Sequence, residues 1–124
     1  MTALLLAIAM VESSGNPKAI GDDGLSWGLY QIRPVYVEDV NRINAQKPNW
    51  PGFPVYIHRD AFNPLTAARM VRIYLDHYAT PERLGRPVTD EDRARIHNGG
   101  PTGWKKRKTV KFWKKVKKVM DEPH

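Results

Sequence analysis

Apolar positions along this chain follow two different spacings. Residues 64–79 place apolar side chains three and four positions apart, which is the spacing of a helix with one buried face. Residues 3–11 are apolar throughout and predict a first helix over residues 2–13. Residues 18–32 instead contain three glycines and short apolar alternations, which predict a small hairpin or sheet. The pattern therefore predicts a mostly helical chain with one short β element.

Capping residues set the limits of the helices. Pro34 and Pro64 suit the first turn of a helix, where a missing N–H is tolerated, and Thr89 or Asp90 can begin a further helix.

Because no repeat or long linker interrupts the pattern, we predict a single α+β domain over residues 1–124, with a cleft where the first helix meets the glycine-rich segment. The predicted helices cover residues 2–13, 34–44, 64–79, about 90–98 and 108–120, and residues 45–62 are predicted as an ordered loop at best.

The composition excludes several classes of protein. The 124 residues include no cysteine, which excludes disulfides, thiolate metal sites and cysteine nucleophiles. No apolar run reaches the roughly 18 residues that a membrane span needs. Residues 2–11 resemble the apolar core of a signal peptide, but no basic residue precedes them and they run directly into Glu12. We therefore predict a buried first helix with Thr2 as its N-cap.

No cofactor or metal site is predicted. The four histidines are scattered along the chain rather than placed at the spacing of zinc ligands. The chain also lacks a glycine-rich phosphate loop, a dinucleotide-binding motif and the GxSxG turn of serine hydrolases. Carboxylates are the remaining candidates for chemistry.

Glu12 is the first of these candidates. It lies in the last turn of an apolar helix, where its carboxylate loses solvation and faces the negative end of the helix dipole. Both effects favour the protonated acid near neutral pH. A carboxylic acid that holds its proton is what a glycosidase needs to protonate a leaving sugar oxygen. The alternative is an exposed glutamate at a helix end beside Ser13 and Ser14.

Asp22 and Asp23 follow in a Gly-Asp-Asp-Gly turn. In a retaining glycosidase the second carboxylate lies about 5 Å from the acid and attacks the anomeric carbon, whereas a gap of roughly 6.5–9.5 Å admits water and inverts the centre. Chain spacing predicts neither distance, and Asp-Asp-Gly is also ordinary turn chemistry. Residues 97–101 (HNGGP) could add imidazole and amide donors to the same site, or could simply end a helix.

Four segments together resemble a known family. They are Glu12-Ser13, LSWGLYQIRPVY at 25–36, VRIYLDHY at 71–78 and ARIHNGGPTGWKKRKTVKFW at 94–113. In this order they are similar to the lysozyme superfamily, and most similar to the invertebrate-type, destabilase-like lysozymes, over about residues 8–118. The resemblance to goose-type lysozymes and lytic transglycosylases is looser and rests on the Glu-Ser and GDxG…GLxQ patterns.

The resemblance implies a site and a reaction. Glu12 matches the family's general acid, and Asp22 matches its nucleophilic aspartate, with Asp23 as the alternative. The implied activity is hydrolysis of the β-1,4 bond between N-acetylmuramic acid and N-acetylglucosamine in peptidoglycan, with retention of configuration. The protein would act on the cell wall as a monomer. The positions expected to bind the sugar chain are Ser26, Gln31, Tyr36, His97 and Asn98.

The chain departs from the family in one respect. Invertebrate-type lysozymes are rich in disulfides, whereas Trp27 and Trp104 stand here at positions where that family has cysteine. Buried aromatic area could replace those covalent links at about 25 cal/mol per Å².

The C-terminal segment is strongly basic. The formal charge is +7, and nine of the fourteen residues 105–118 are Lys or Arg. Val110, Trp113, Val116 and Met120 form one helical stripe, which favours a helix docked on the core with a solvated basic face. The charge also predicts attraction to anionic bacterial surfaces. Specific nucleic-acid binding is not predicted.

Three other functions remain open at this stage. A lytic transglycosylase works with a single glutamate and releases an anhydro-sugar. An isopeptidase would use Ser26 and His97, but Arg33 stands in place of the lysine that some family members have nearby, and arginine cannot act as a base. A non-catalytic module would hold glycan, anionic polymer or a membrane surface through its basic face.

Overall fold

The computed structural model describes residues 1–48, 52 and 54–122 of the chain. Within these residues, helices surround one two-stranded sheet, as the sequence predicts. The helices are α1 (Thr2–Ser13), α2 (Pro34–Ala45), α3 (Pro64–Tyr78), α4 (Pro81–Leu84), α5 (Asp90–Gly99) and α6 (Val110–Asp121), and the strands are β1 (Ile20–Gly21) and β2 (Ser26–Trp27). Short 3-10 turns cover Asp22–Gly24, His58–Phe62, Gly103–Lys105 and Arg107–Thr109.

Helix α1 lies in the core and packs against α5 and α6. Its residues Leu4, Leu5 and Ile8 are buried. The helix ends where Ser14 adopts a left-handed conformation with a φ of 55°. This ending places Glu12 in the last turn, at the edge of the core.

The caps of the next helices follow from the sequence. The side chain of Asn63 accepts the N–H of Thr66 at the start of α3, at 3.1 Å. Thr89 and Asp92 form a reciprocal capping box at the start of α5. The helix starts predicted at these two positions are therefore confirmed.

The two strands pair antiparallel, with Ile20 opposite Trp27 and Gly21 opposite Ser26. A further bridge joins Trp27 to Ile32. This is the small hairpin that the glycine-rich segment predicts.

Stacked aromatic rings attach this sheet to the rest of the molecule. The Trp27 ring stacks on His58 with 3.7 Å between ring centroids and on Phe62 with 4.8 Å. Its indole N–H also donates to the carbonyl of Gly24 at 2.8 Å. Because His58 and Phe62 share one 3-10 turn, the stack holds that turn against the sheet at a position where the resemblance would place a cysteine.

Some boundaries differ from the prediction. Helix α1 covers the predicted residues 2–13, but its N-cap is Met1 and not Thr2. Within the segment predicted as a loop, residues His58–Phe62 form a 3-10 turn, while residues 49–51 and 53 lie outside the described residues. The single turn α4 was not predicted, although Thr80 caps it by accepting the N–H of Arg83.

Helix α6 docks on the core through Phe112 and Val116, which are both buried. The opposite side of the helix carries exposed lysines, so the predicted basic face is confirmed. The buried side is centred closer to Phe112 than the predicted stripe of Val110, Trp113, Val116 and Met120. No helix in the described part of the chain is long and apolar enough to cross a membrane. The lysines of the outer face, all exposed, are Lys111, Lys114, Lys115, Lys117 and Lys118.

Candidate functional site

A cleft of about 630 Å³ opens between the helices and the small sheet. We call Glu12, His97 and Asn98 its helical wall, and Asp22, Ser26 and Gln31 its β wall. The cleft brings together most of the residues that the sequence singles out, while Asp23 does not line it. The predicted site residues in its lining are Glu12, Asp22, Ser26, Gln31, Tyr36, His97 and Asn98.

Glu12 is shielded on the helical wall. Its side chain is 19% exposed, and its Oε2 lies 3.3 Å from Nε2 of His97. The hydroxyl of Ser13 donates to the carbonyl of Ala9 at 3.0 Å and does not cap Glu12. Glu12 is therefore not the fully exposed helix-end residue of the alternative interpretation.

Asp22 lies on the β wall, in the turn between the strands. Asp22 and Asp23 both adopt left-handed backbone conformations, with φ of 50° and 56°, which aspartate tolerates better than most residues. The Ser26 hydroxyl donates to Oδ2 of Asp22 at 2.5 Å. The turn therefore presents Asp22 to the cleft and leaves Asp23 outside it.

A third carboxylate, Asp39, also lines the cleft, and the sequence did not single it out. Its Oδ2 accepts the hydroxyl of Tyr78 at 2.7 Å, and its Oδ1 pairs with Arg42. Because both oxygens have partners, Asp39 serves to join α2 to α3. The three-residue spacing of Asp39 and Arg42 on a helix is the signal that could have predicted this pair.

Gln31 holds the β wall together. Its side-chain amide donates to the carbonyls of Ala19 at 3.3 Å and Gly28 at 3.1 Å. A Cβ atom at Gly21 would lie only 2.3 Å from Oε1 of Gln31, so any other residue there would displace the Gln31 amide. The amide that was predicted to bind sugar therefore also braces the sheet.

Tyr36 and His97 form a buried pair behind Glu12. The Tyr36 hydroxyl lies 3.1 Å from Nδ1 of His97, and Nε2 of His97 lies 3.0 Å from the carbonyl oxygen of Tyr30. The Tyr36 ring stacks on Tyr74 with 3.9 Å between centroids. Burial raises the pKa of Tyr36 well above its ordinary value, and the nearby Tyr74 and Glu12 raise it further, so the hydroxyl stays protonated.

Two exposed polar side chains, Asn98 and Arg33, stand in the cleft lining. Arg33 was not predicted as a site residue, and its guanidinium has no ion-pair partner among the residues that the structure describes. Gly100 follows with a φ of 89° and open space around it. The mouth of the cleft therefore offers an amide, a guanidinium and accessible backbone to a ligand.

Comparison with known proteins identifies the family. The family model described as Destabilase matches residues 2–119. The chain belongs to the destabilase family. A lysozyme from Magallana gigas is 34% identical over 118 residues, which cover 93% of this chain and 77% of that protein. An invertebrate-type lysozyme from Ruditapes philippinarum is 33% identical over 120 residues, which cover 93% of this chain and 78% of that protein.

Solved structures agree with this destabilase-family assignment. A Meretrix lusoria lysozyme in complex with Aeromonas hydrophila PliI has a TM-score of 0.76 and 30% identity, covering 96% of this chain and 89% of that one. A Tapes japonica lysozyme has a TM-score of 0.74 with the same coverage, and at 24% identity it supports the fold alone. The predicted resemblance, the lysozyme-like fold and the enzyme class, a muramidase-type glycosidase, are confirmed.

The isopeptidase chemistry suggested by some members of the destabilase family has no counterpart in these contacts. The Ser26 hydroxyl donates to Asp22, and the ring nitrogens of His97 contact Tyr30, Tyr36 and Glu12. Ser26 and His97 are therefore not paired as nucleophile and base. In the described residues no three His, Asp or Glu side chains cluster in a way that could hold a metal ion.

Proposed function

We propose that this protein hydrolyses the β-1,4 bond between N-acetylmuramic acid and N-acetylglucosamine in peptidoglycan, with Glu12 and Asp22 as its catalytic pair. The observation that carries this proposal is the pairing of two differently placed carboxylates in one cleft. Glu12 is shielded and contacts a buried imidazole, whereas Asp22 is exposed and accepts a hydroxyl hydrogen bond. Two carboxyl groups in contrasting surroundings on one cleft are the arrangement that glycosidases use for an acid and its partner.

The reaction would run in two steps. Glu12 gives its proton to the glycosidic oxygen while the bond from that oxygen to the anomeric carbon breaks, and Asp22 attacks the carbon or stabilises its positive charge. Water then bonds to the anomeric carbon while Glu12 takes a proton from that water, and where Asp22 has bonded to the carbon that bond breaks and the carboxylate is released. The Ser26 hydroxyl orients the Asp22 carboxylate by donating a hydrogen bond to its Oδ2.

Substrate recognition would come from the mouth of the cleft and from the basic face. The peptides attached to muramic acid end in carboxylates, and Arg33, which has no ion-pair partner among the described residues, offers the group that best binds one. Asn98 offers amide donors to sugar hydroxyls and acetamido groups. The exposed lysines of α6 would attract a monomer of this enzyme to an anionic wall, an attraction that weakens as salt rises.

The decisive experiment compares digests of purified peptidoglycan by wild type and Glu12→Gln. We expect a roughly 10²–10⁴-fold loss of activity in the variant, which is the range for general acid–base catalysis, with an unchanged melting temperature. Glu38→Gln, on the exposed side of α2, is the matched control and should keep wild-type activity. Wall clearing at full rate by Glu12→Gln would contradict the proposal.

Mass spectrometry of the same digest separates the two enzymatic alternatives. Hydrolysis adds one water to each cleaved bond and leaves an ordinary reducing end. A transglycosylase would instead leave an anhydro-muramic end that lacks this water. If the wild type gives mainly anhydro ends, the reaction is transglycosylation and not hydrolysis.

A further inference from the structure

The outer side of α1 is apolar although it faces solvent. Ala3, Leu6 and Met10 are three and four positions apart, so they lie on one side of the helix. Leu6 is 64% exposed and Met10 is 50% exposed. A surface helix normally presents polar and charged side chains to water. An exposed apolar side therefore marks a surface that contacts something other than water.

This side of α1 continues into a groove of about 280 Å³ beside the last turns of α6, which we call the α1–α6 groove. All the residues that line it are apolar, and among the described residues none lines both this groove and the cleft. At 100° per residue, the groove side of α1 is opposite to the side that carries Glu12, the one charged residue of that helix. The lining residues are Ala3, Leu6, Ala7, Met10, Val119 and Met120.

Lysines of α6 border the α1–α6 groove on both sides. Lys115 lies four positions before Val119, so the two share one side of the helix. Lys117 lies three positions before Met120 and shares the other side with it. Both lysines are exposed. The apolar floor of the groove therefore has a cationic rim.

Most of these cations have no counter-charge in the protein. Lys117 pairs with Asp121, one of the two acidic residues at this end of α6. The exposed Lys114, Lys115 and Lys118 form no ion pair with any residue that the structure describes. The counter-charge for this surface has to come from a binding partner or from salt.

We propose that the α1–α6 groove and the lysines that border it form a binding surface for an anionic phospholipid bilayer. An apolar helix side of this kind is buried at the boundary between headgroups and acyl chains. Lysine side chains extend over apolar surface and place their ammonium groups in the polar layer, where anionic headgroups attract them. A bilayer thus covers the apolar side and neutralises the lysines in one contact.

Other occupants match only one of these two features. A second copy of this chain could cover the apolar side, but it would bring a like-charged α6 and a further formal charge of +7 to the same surface. A soluble polyanion would bind the lysines but would leave Leu6 and Met10 in water. The combination of features therefore favours a lipid surface.

This inference does not depend on the proposed function, because it concerns a different side of α1. A bilayer at the α1–α6 groove would leave the cleft open to solvent, so glycan could still enter it. The Glu12→Gln variant should therefore bind vesicles as tightly as the wild type, whatever its effect on wall digestion.

The first test measures the partitioning of the protein into vesicles of phosphatidylcholine alone or mixed equally with phosphatidylglycerol. Leu6→Gln should lower partitioning into the mixed vesicles roughly tenfold, since it removes an apolar side chain that the bilayer buries. Leu65→Gln is the matched control, because Leu65 on α3 is 70% exposed and lies outside the groove, and it should change partitioning less than about twofold. Equal effects of the two variants would overturn the proposal.

The second test removes charge. The double variant Lys115→Gln/Lys118→Gln should lower binding to the mixed vesicles roughly tenfold to thirtyfold and weaken its salt dependence. Lys18→Gln/Arg59→Gln removes the same charge at exposed positions outside the groove, and it should lower binding less than about threefold. Equal losses in the two double variants would show that only the total charge matters and would overturn the proposal.

The third test places a fluorescent label at the surface itself. Because the chain contains no cysteine, Leu6→Cys and Leu65→Cys each take a single nitrobenzoxadiazole label. On mixed vesicles the label at position 6 should become protected from aqueous iodide, while the label at position 65 stays accessible. This measurement remains decisive if Leu6→Gln does not fold, and an equally quenched label at both positions would contradict insertion of the groove.

Three further results would also overturn the proposal. One is a wild-type protein that does not bind mixed vesicles. Another is binding that the lysine double variant lowers but Leu6→Gln does not, since charge attraction alone would then explain it. The last is a wild-type dimer in sedimentation equilibrium that Leu6→Gln dissociates, because a second copy of the chain would then be the occupant of the groove.

Discussion

The two walls of the cleft carry the same chemical group in contrasting settings. On the helical wall, Glu12 sits at the end of a twelve-residue helix of the core, and its partner His97 is buried. On the β wall, Asp22 sits between strands of two residues each, in a left-handed conformation, with its side chain beside a single hydroxyl. A group that must keep a proton gains from shielding, whereas a group that must stay ionised gains from solvent and a donor.

The walls also differ in how they are stabilised. The helical wall is held by the helices of the main core. The β wall depends on local contacts, chiefly the Trp27 stack and the Gln31 amide. Variants that change one wall and leave the other intact therefore distinguish effects on catalysis from effects on stability.

Asp22→Asn should have the largest effect of the variants on the β wall. We expect activity to fall about 10²-fold or more, as when one preorganised electrostatic group is removed, while Asp23→Asn stays near wild type. Both positions have left-handed φ values that asparagine also tolerates. The two variants should therefore place the same small strain on the backbone. Initial rates of wall digestion give the comparison, and the reverse ranking would make Asp23 the catalytic partner.

Trp27→Ala should weaken the β wall as a structure. We expect the free energy of unfolding to fall by about 2–3 kcal/mol, because the change removes partly buried area and two stacking contacts. Trp104→Ala is the control, since Trp104 packs near Arg86 and Lys105 away from the sheet. Urea denaturation should show a loss in both variants, but only Trp27→Ala should also lower kcat, and equal kcat values would show that the stack does not support the site.

Ser26→Ala should have the smallest effect of the three. We expect a roughly tenfold lower kcat, the size of one hydrogen bond to a charged group. Ser13→Ala removes a hydroxyl at the end of α1 that donates to the carbonyl of Ala9, and it should change kcat less than about twofold. Matching losses in the two variants would mean that Ser26 does not act through Asp22.

Much of the fold could be predicted because the signals are local. Apolar spacing, Asn63 and Thr89 mark the helices within a residue or two. Helix α4 was not predicted, although Thr80, Pro81 and Gly85 are typical capping residues. Its four residues are too few to show the helical spacing of apolar side chains. The Trp27 stack was not predictable, since it joins the sheet to a turn far along the chain.

The sequence predicts which residues line the cleft better than it predicts what each of them does. Glu12 follows from its place at the end of an apolar helix, and the order of the motifs implies the rest. The choice between Asp22 and Asp23 depends on side-chain direction in a turn where both residues have positive φ. The direction of His97 depends on how α5 packs against α1, and no spacing along the chain encodes that contact.

The Trp27 stack also bears on the conditions that this enzyme tolerates. Aromatic rings have no redox chemistry comparable to thiol exchange, and the chain contains no sulfhydryl at all. Dithiothreitol or glutathione should therefore leave its folded state unchanged, and its folding should require no oxidant and no disulfide isomerase. A wall-degrading enzyme built in this way can fold fully in a reducing environment.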